Sequence, residues 1–304
     1  MYENSKKLTA VYAAAALLLV ITAIVGTFCD KALSDAVYKA ADPFFLTISI
    51  LGQYVFYGSM VFFGGALLKQ ISLNDGLSAG KKLAASIFCV LGIIEGAFLG
   101  SGSLTHAEGL GAIEAFAKLP KYPARFGTML IVMLPLMICG MKLTKEHSKK
   151  LTGRLVRLMI IALIVQIAIM STKGFFARPR YRTTLMGFDG VGFVQWYEAL
   201  GDPKPLSEKF GVDKNAFQSF PSGHSWMAAA SMYIIMGLSA VIKKLEGKEV
   251  QLTIAGLVFA LAIMFSRIVL GAHYLSDISF GGLLGTITGF IFLKLELRAD
   301  KNLQ

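Results

Sequence analysis

Three short stretches of this sequence carry residues whose types and spacing suit the capture and transfer of an oxyanion. In one, Ser266-Arg267 is followed by His273, with Asp277 four residues further on. At i and i+4 the two share a helical face, so the carboxylate can hold one imidazole nitrogen and leave the other as a nucleophile. Upstream, Pro221-Ser222-Gly223-His224 offers Pro to stop a preceding helix, Ser as an N-cap and Gly to let the backbone approach a ligand. Backbone N–H groups at a helix start bind anions. His224 then suits a proton donor to a leaving oxygen, because an unperturbed imidazole titrates near neutral pH. The third stretch, Lys173-Gly-Phe-Phe-Ala-Arg178-Pro-Arg180-Tyr-Arg182, is cationic. Lys173 and Arg180 lie two turns apart if helical geometry continues through it, and can face one point. With Arg267 they make three cations, a set that suits phosphate, arginine contributing its bidentate fork.

The elements that must position these residues are membrane helices. The chain has 304 residues, 55% of them hydrophobic and only 16% charged, and its mean hydropathy is +0.62. That composition argues against a soluble globular protein, and the 22 Phe exclude disorder. Eight apolar stretches are long enough to cross a bilayer, near residues 8–28, 44–68, 83–100, 125–141, 155–172, 224–242, 252–271 and 277–295. The predicted fold class is therefore all-α, a polytopic transmembrane bundle of about eight spans. Residues 1–124 hold about three N-terminal spans, additional or partly core; 125–297 hold the motif-bearing core, and 298–304 a tail. Cys29, Cys89 and Cys139 have no paired spacing, which suggests neither a disulfide framework nor a thiolate metal site.

The net charge of +11 is decided by its placement. Lys6, Lys7, Lys69, Lys81, Lys82, the run from Lys142 to Arg157, Lys243, Lys244, Lys248, Lys294, Arg298 and Lys301 all fall on one side if spans alternate. The positive-inside rule makes that side, and both termini, cytoplasmic. The run 142–157 reads as a topology signal rather than a nucleic-acid patch, since it flanks two spans. By the same parity all three motif stretches reach the opposite side and can converge there. Trp196 and Trp226 are expected to anchor the interface, and Glu95, inside the third span, to pair with a polar group on another helix. His106 and Glu108 are expected in a solvated outer loop.

At the motif residues the sequence closely resembles the type 2 phosphatidic acid phosphatase superfamily, which includes bacterial lipid phosphatases and, more distantly, vanadium haloperoxidases. Its signature is Lys, six residues, Arg-Pro; then Pro-Ser-Gly-His; then Ser-Arg, five residues, His, three residues, Asp. The second and third parts stand complete as Pro221 to His224 and Ser266 to Asp277. The first fits Lys173 to Arg180 in spacing, with Tyr181 where the signature has Pro. The resemblance covers roughly residues 125–295, and since six spans are usual in the family, two look additional. It implies that His273 attacks phosphorus to form a phosphohistidine, with Asp277 orienting it. It implies that His224 protonates the departing group and then activates water, while Lys173, Arg180, Ser222, the Gly223 backbone and Arg267 hold the phosphoryl oxygens.

No metal or other cofactor is expected, because one acid beside two His and three cations would repel a divalent ion. The expected activity is hydrolysis of a lipid phosphate at the extracytoplasmic face of the cell membrane. Undecaprenyl diphosphate, phosphatidylglycerol phosphate and phosphatidate fit equally, and the partners are that lipid and the surrounding membrane, not nucleic acid. A lipid-to-lipid phosphotransferase would use the same residues. A transporter or flippase would need the cations but has no use for the His273 and Asp277 pair. The paired histidines predict a bell-shaped pH profile.

Overall fold

The computed structural model describes residues 4–105 and 109–301, so His106 and Glu108 lie outside the described residues. Among the described residues eight helices are long and apolar enough to cross a membrane: α1 (Ser5–Val37), α2 (Pro43–Ser72), α3 (Ala79–Ser101), α4 (Lys121–Leu143), α5 (Lys149–Thr172), α6 (Gly223–Val241), α7 (Glu249–Val269) and α8 (Leu275–Lys301). No strand occurs among the described residues. The chain is a polytopic helical membrane bundle.

Local sequence sets the helix ends. Asp42 caps α2 by accepting from the Phe44 and Phe45 amides at 3.0 and 3.2 Å, with Pro43 at the first helical position. Ser148 caps α5 by accepting from the Leu151 amide. Within α4 the ladder widens to a π-turn at Met129–Met133. Pro135 follows at once, and its ring and missing N–H disrupt the preceding turn.

Helix α6 is the central element, buried along most of its length, and it packs against α7, α8, α5 and α2. Helix α1 lies along α8, and α2 touches α5, α6 and α7. Both N-terminal helices therefore pack among those that carry the motifs. Helices α3 and α4 pack on the far side of α2. They turn Ile87, Phe88, Leu91, Phe126 and Ile131 outward, as a lipid-facing surface requires.

Because α6 is central, Trp226 does not anchor the interface: it is buried and its Nε1 donates to Thr288. Trp196 lies instead in an aromatic cluster with Phe220 and Phe280, and its Nε1 donates to Thr27 at 3.1 Å. Two cations of the basic run also turn inward. Arg154 and Arg157 donate to the fully buried Glu296 at 2.8 and 2.6 Å, and the Tyr233 hydroxyl adds a third bond to it. An acid buried in the bilayer region is tolerated only when so compensated.

Two glycines bring the motif helices together. A β-carbon at Gly281 would land on the Ser222 carbonyl, so only glycine lets α8 touch the start of α6. Gly271, between α7 and α8, has φ +59° and sits against the Tyr38 ring, which allows the sharp turn that delivers His273.

Candidate active site

The three sequence motifs meet at one end of the bundle, where α5 and α7 finish and α6 and α8 begin. The basic residues 142–154, 243–248 and 298–301 lie at the opposite ends of the same helices.

Asp277 is the fixed point. In the first turn of α8 it accepts from the Tyr274 amide at 2.8 Å, closing the helix start as an N3 acid does. Ser219 Oγ donates to the same oxygen at 2.5 Å, and Arg178 Nη1 donates to the other at 2.5 Å. Arg178 also donates to Asp30 Oδ2 of α1 at 2.8 Å, to Ser276 Oγ at 2.9 Å and to the Val194 carbonyl at 2.8 Å, and lies over the Tyr274 ring at 4.3 Å. Arg178, Asp277 and Asp30 are exposed by 1% or less, so this guanidinium is a structural cation neutralised by two carboxylates rather than one facing headgroups. Ser276 joins the cluster through its amide and hydroxyl, both donating to Asp30.

His273 follows from that frame. The Arg267 carbonyl accepts from the amides of Ala272 and His273 at 3.0 and 3.2 Å, so the end of α7 places the ring. Its Nδ1 donates to the Ser219 carbonyl at 2.6 Å. Asp277 Oδ2 stands 3.8 Å from Nδ1, too long for a hydrogen bond. The carboxylate thus differs from its expected part as the direct imidazole partner, because its oxygens are already taken by Ser219, Tyr274 and Arg178. It acts on the ring through its charge and through Ser219. A carbonyl can only accept, so Nδ1 carries the hydrogen and Nε2 keeps its lone pair. Burial, and then the Arg180 and Arg267 guanidiniums, push the His273 pKa down to about 3, against the pull of Asp277.

One of the three cations reaches that lone pair directly. Arg180 Nη1 lies 3.5 Å from His273 Nε2 and donates to the Ala272 carbonyl at 3.1 Å. Its Nε donates to the Asn215 carbonyl at 2.5 Å. Arg267, fully buried, donates from Nη1 to Ser49 Oγ of α2 at 2.7 Å. Lys173 Nζ reaches the Gln218 carbonyl at 3.3 Å, and its stem passes 3.5 Å from where a Gly223 β-carbon would stand. Ser222 caps α6 by accepting from the Ser225 amide, and its own amide donates to the Asp277 carbonyl at 3.0 Å. His224 occupies the second position of α6, half-buried, its Nε2 2.7 Å from Gln53 Nε2 of α2. A cavity of about 290 Å³ lies against Arg267, bordered by Arg182, Tyr38, Leu46 and Leu270. Among the described residues no three His, Cys, Asp or Glu side chains gather as a metal-ligand set.

Lys173 and Arg180 do not converge through a continued helix. The chain leaves helical geometry at Lys173 because the following segment gives its backbone to the 199–219 loop. Ala177 donates to Ala199, Arg180 to Ala216, and Ser219 donates back to Arg178, while Pro179 cannot donate at all. Tyr181, in place of the signature Pro, opens the short helix Tyr181–Thr184, a position where proline is also accommodated, and its hydroxyl donates to Asp35 at 2.9 Å.

Residues 154–300 match the model of the PAP2 superfamily. No curated protein and no solved structure matches the chain.

Proposed function

The chain carries a PAP2 superfamily region over residues 154–300, and on that premise we propose that this membrane phosphatase-type protein hydrolyses a lipid phosphate through a phosphohistidine on His273, without a metal ion. The observation that carries the reading is the imidazole itself. A buried, neutral ring has Nδ1 tied to the Ser219 carbonyl and Nε2 beside Arg180.

Nε2 attacks phosphorus, the bond from phosphorus to the leaving oxygen breaks, and His224 gives that oxygen its proton. Lys173, Arg180, Arg267, Ser222 and the Gly223 amide hold the phosphoryl oxygens and the charge that builds up on them. His224 then takes a proton from water, whose oxygen attacks phosphorus and frees His273. Asp277 holds the Ser219 loop and opposes the positive charge that forms on the ring. Guanidinium and ammonium groups do here what a divalent ion does in metal-dependent phosphatases.

The site's position at the ends of membrane helices supports a lipid substrate. Its acyl or prenyl tail stays in the bilayer while the phosphate meets the cations. The concentration of Lys and Arg at the opposite helix ends supports an extracytoplasmic site with both termini in the cytoplasm. Undecaprenyl diphosphate, phosphatidylglycerol phosphate and phosphatidate all meet the geometry. The deciding experiment is phosphate release from each lipid in detergent with chelator present. We expect release with at least one lipid, loss in His273→Ala, and acid-labile label trapped on His273. Activity abolished by chelator, or surviving His273→Ala, would overturn the mechanism. Transfer of label to an added lipid in preference to water would make the protein a phosphotransferase.

A further inference from the structure

Helix α2 lies wholly outside the 154–300 region, yet it sends two polar side chains into the site. Ser49, fully buried, accepts from Arg267, and Gln53, one turn later on the same face, meets the His224 ring at 2.7 Å. A side-chain amide within a membrane helix is costly unless it is engaged, and polar residues there mark function by default. Gln53 is turned toward the histidine of the Pro-Ser-Gly-His stretch, in the first turn of α6.

We propose that Gln53 is a positioning residue for His224, holding the imidazole on the leaving oxygen through both of its protonation states. The argument is chemical. The amide presents an NH2 group on one edge and a carbonyl on the other. Its NH2 faces Nε2 of the resting ring; turned over, its carbonyl accepts from Nε2–H, which the ring keeps while Nδ1 gives up and takes back the proton that moves. A ring that gives up a proton in one half-reaction and takes one back in the next therefore keeps a partner throughout. A hydrocarbon side chain would let the ring swing. A glutamate would keep the contact with the protonated form.

This inference rests on the phosphatase reading above, and the test separates the two. The substrates are a soluble alkyl phosphate, whose leaving oxygen needs a proton, and p-nitrophenyl phosphate, whose leaving group does not. In Gln53→Ala we expect kcat/KM for the alkyl ester to fall about tenfold to a hundredfold, the scale on which an outer partner tunes a reactive group. We expect kcat/KM for p-nitrophenyl phosphate and the inhibition constant of inorganic phosphate to move less than about threefold. Gln53→Glu should recover most of the alkyl rate, and Gln53→Ala should cost nothing further in a His224→Ala background. Equal losses on both esters, or none on either, with His273→Ala inactive, would overturn the inference and leave the phosphatase reading standing. Turnover of the alkyl ester by His273→Ala would overturn both.

Discussion

His273 Nδ1 is 2.6 Å from the Ser219 carbonyl oxygen and 3.8 Å from the nearest Asp277 oxygen. The tautomer that keeps the lone pair on Nε2, as the proposed attack requires, is therefore set by a backbone acceptor, and the carboxylate supports it from one remove.

Asp277→Asn should accordingly keep the right tautomer. In triads where the carboxylate holds the ring directly, the same change costs about ten-thousandfold because the tautomer inverts. Here the expected loss in kcat is about tenfold to a hundredfold, from the missing charge, with thermal unfolding in detergent lowered because Arg178 loses one of its two anions. A loss as large as that of His273→Ala would show that the carboxylate sets the tautomer after all.

Asp30→Ala should act on stability. It leaves Arg178 buried with Asp277 alone and strips two donors of Ser276 of their acceptor. Removing one partner from a buried ion pair costs about 3–5 kcal/mol. The unfolding midpoint should fall clearly below that of Asp35→Ala, which removes a carboxylate that is half-exposed and pairs with Lys31 at the surface.

The pH profile should be one-sided. With the His273 pKa held at about 3 by burial and two guanidiniums, the free protein keeps this ring neutral through the acid range. The bell expected from the sequence therefore lacks its acid limb, and kcat/KM should not decline between pH 7 and pH 5 on account of His273. Stability follows the opposite sense. The unfolded chain takes this proton near pH 6.5 and the folded one near 3, so His273 favours folding fully above pH 6.5 and progressively less as pH falls toward 3. His273→Gln should flatten that part of the stability curve.

Gly281→Ala tests the junction of α6 and α8. The added methyl meets the Ser222 backbone, which no side-chain rotation can clear. We expect activity to fall more than about a hundredfold with a lowered unfolding midpoint, because the Ser222 amide and the Asp277 carbonyl move apart.

The spans were legible because hydropathy alone dictates them: each predicted stretch lies largely within the observed helix, with the ends set by caps such as Asp42 and Ser148. The motif residues were legible because their spacing is rigid along the chain. Gln53, Ser49 and Asp30 were not. Ser49 and Gln53 are scattered polar residues in an apolar stretch, Asp30 stands beside Lys31 just past one, and the meaning of each depends on which helix it meets across the bundle. Arg178 was visible as a cation beside a proline, but its burial against two acids depends on the loop folding back over the helix ends. Ser219 contributes chiefly its carbonyl, which every residue type carries.

Asp30, Ser49 and Gln53 all belong to the first two helices, and so fix the smallest unit able to work. An excised piece starting at Lys149 would retain every signature residue while stranding Arg178, Arg267 and His224 without these companions. Evolutionary shuffling of the signature half onto a foreign membrane anchor should therefore yield an inert protein unless α1 and α2 travel with it.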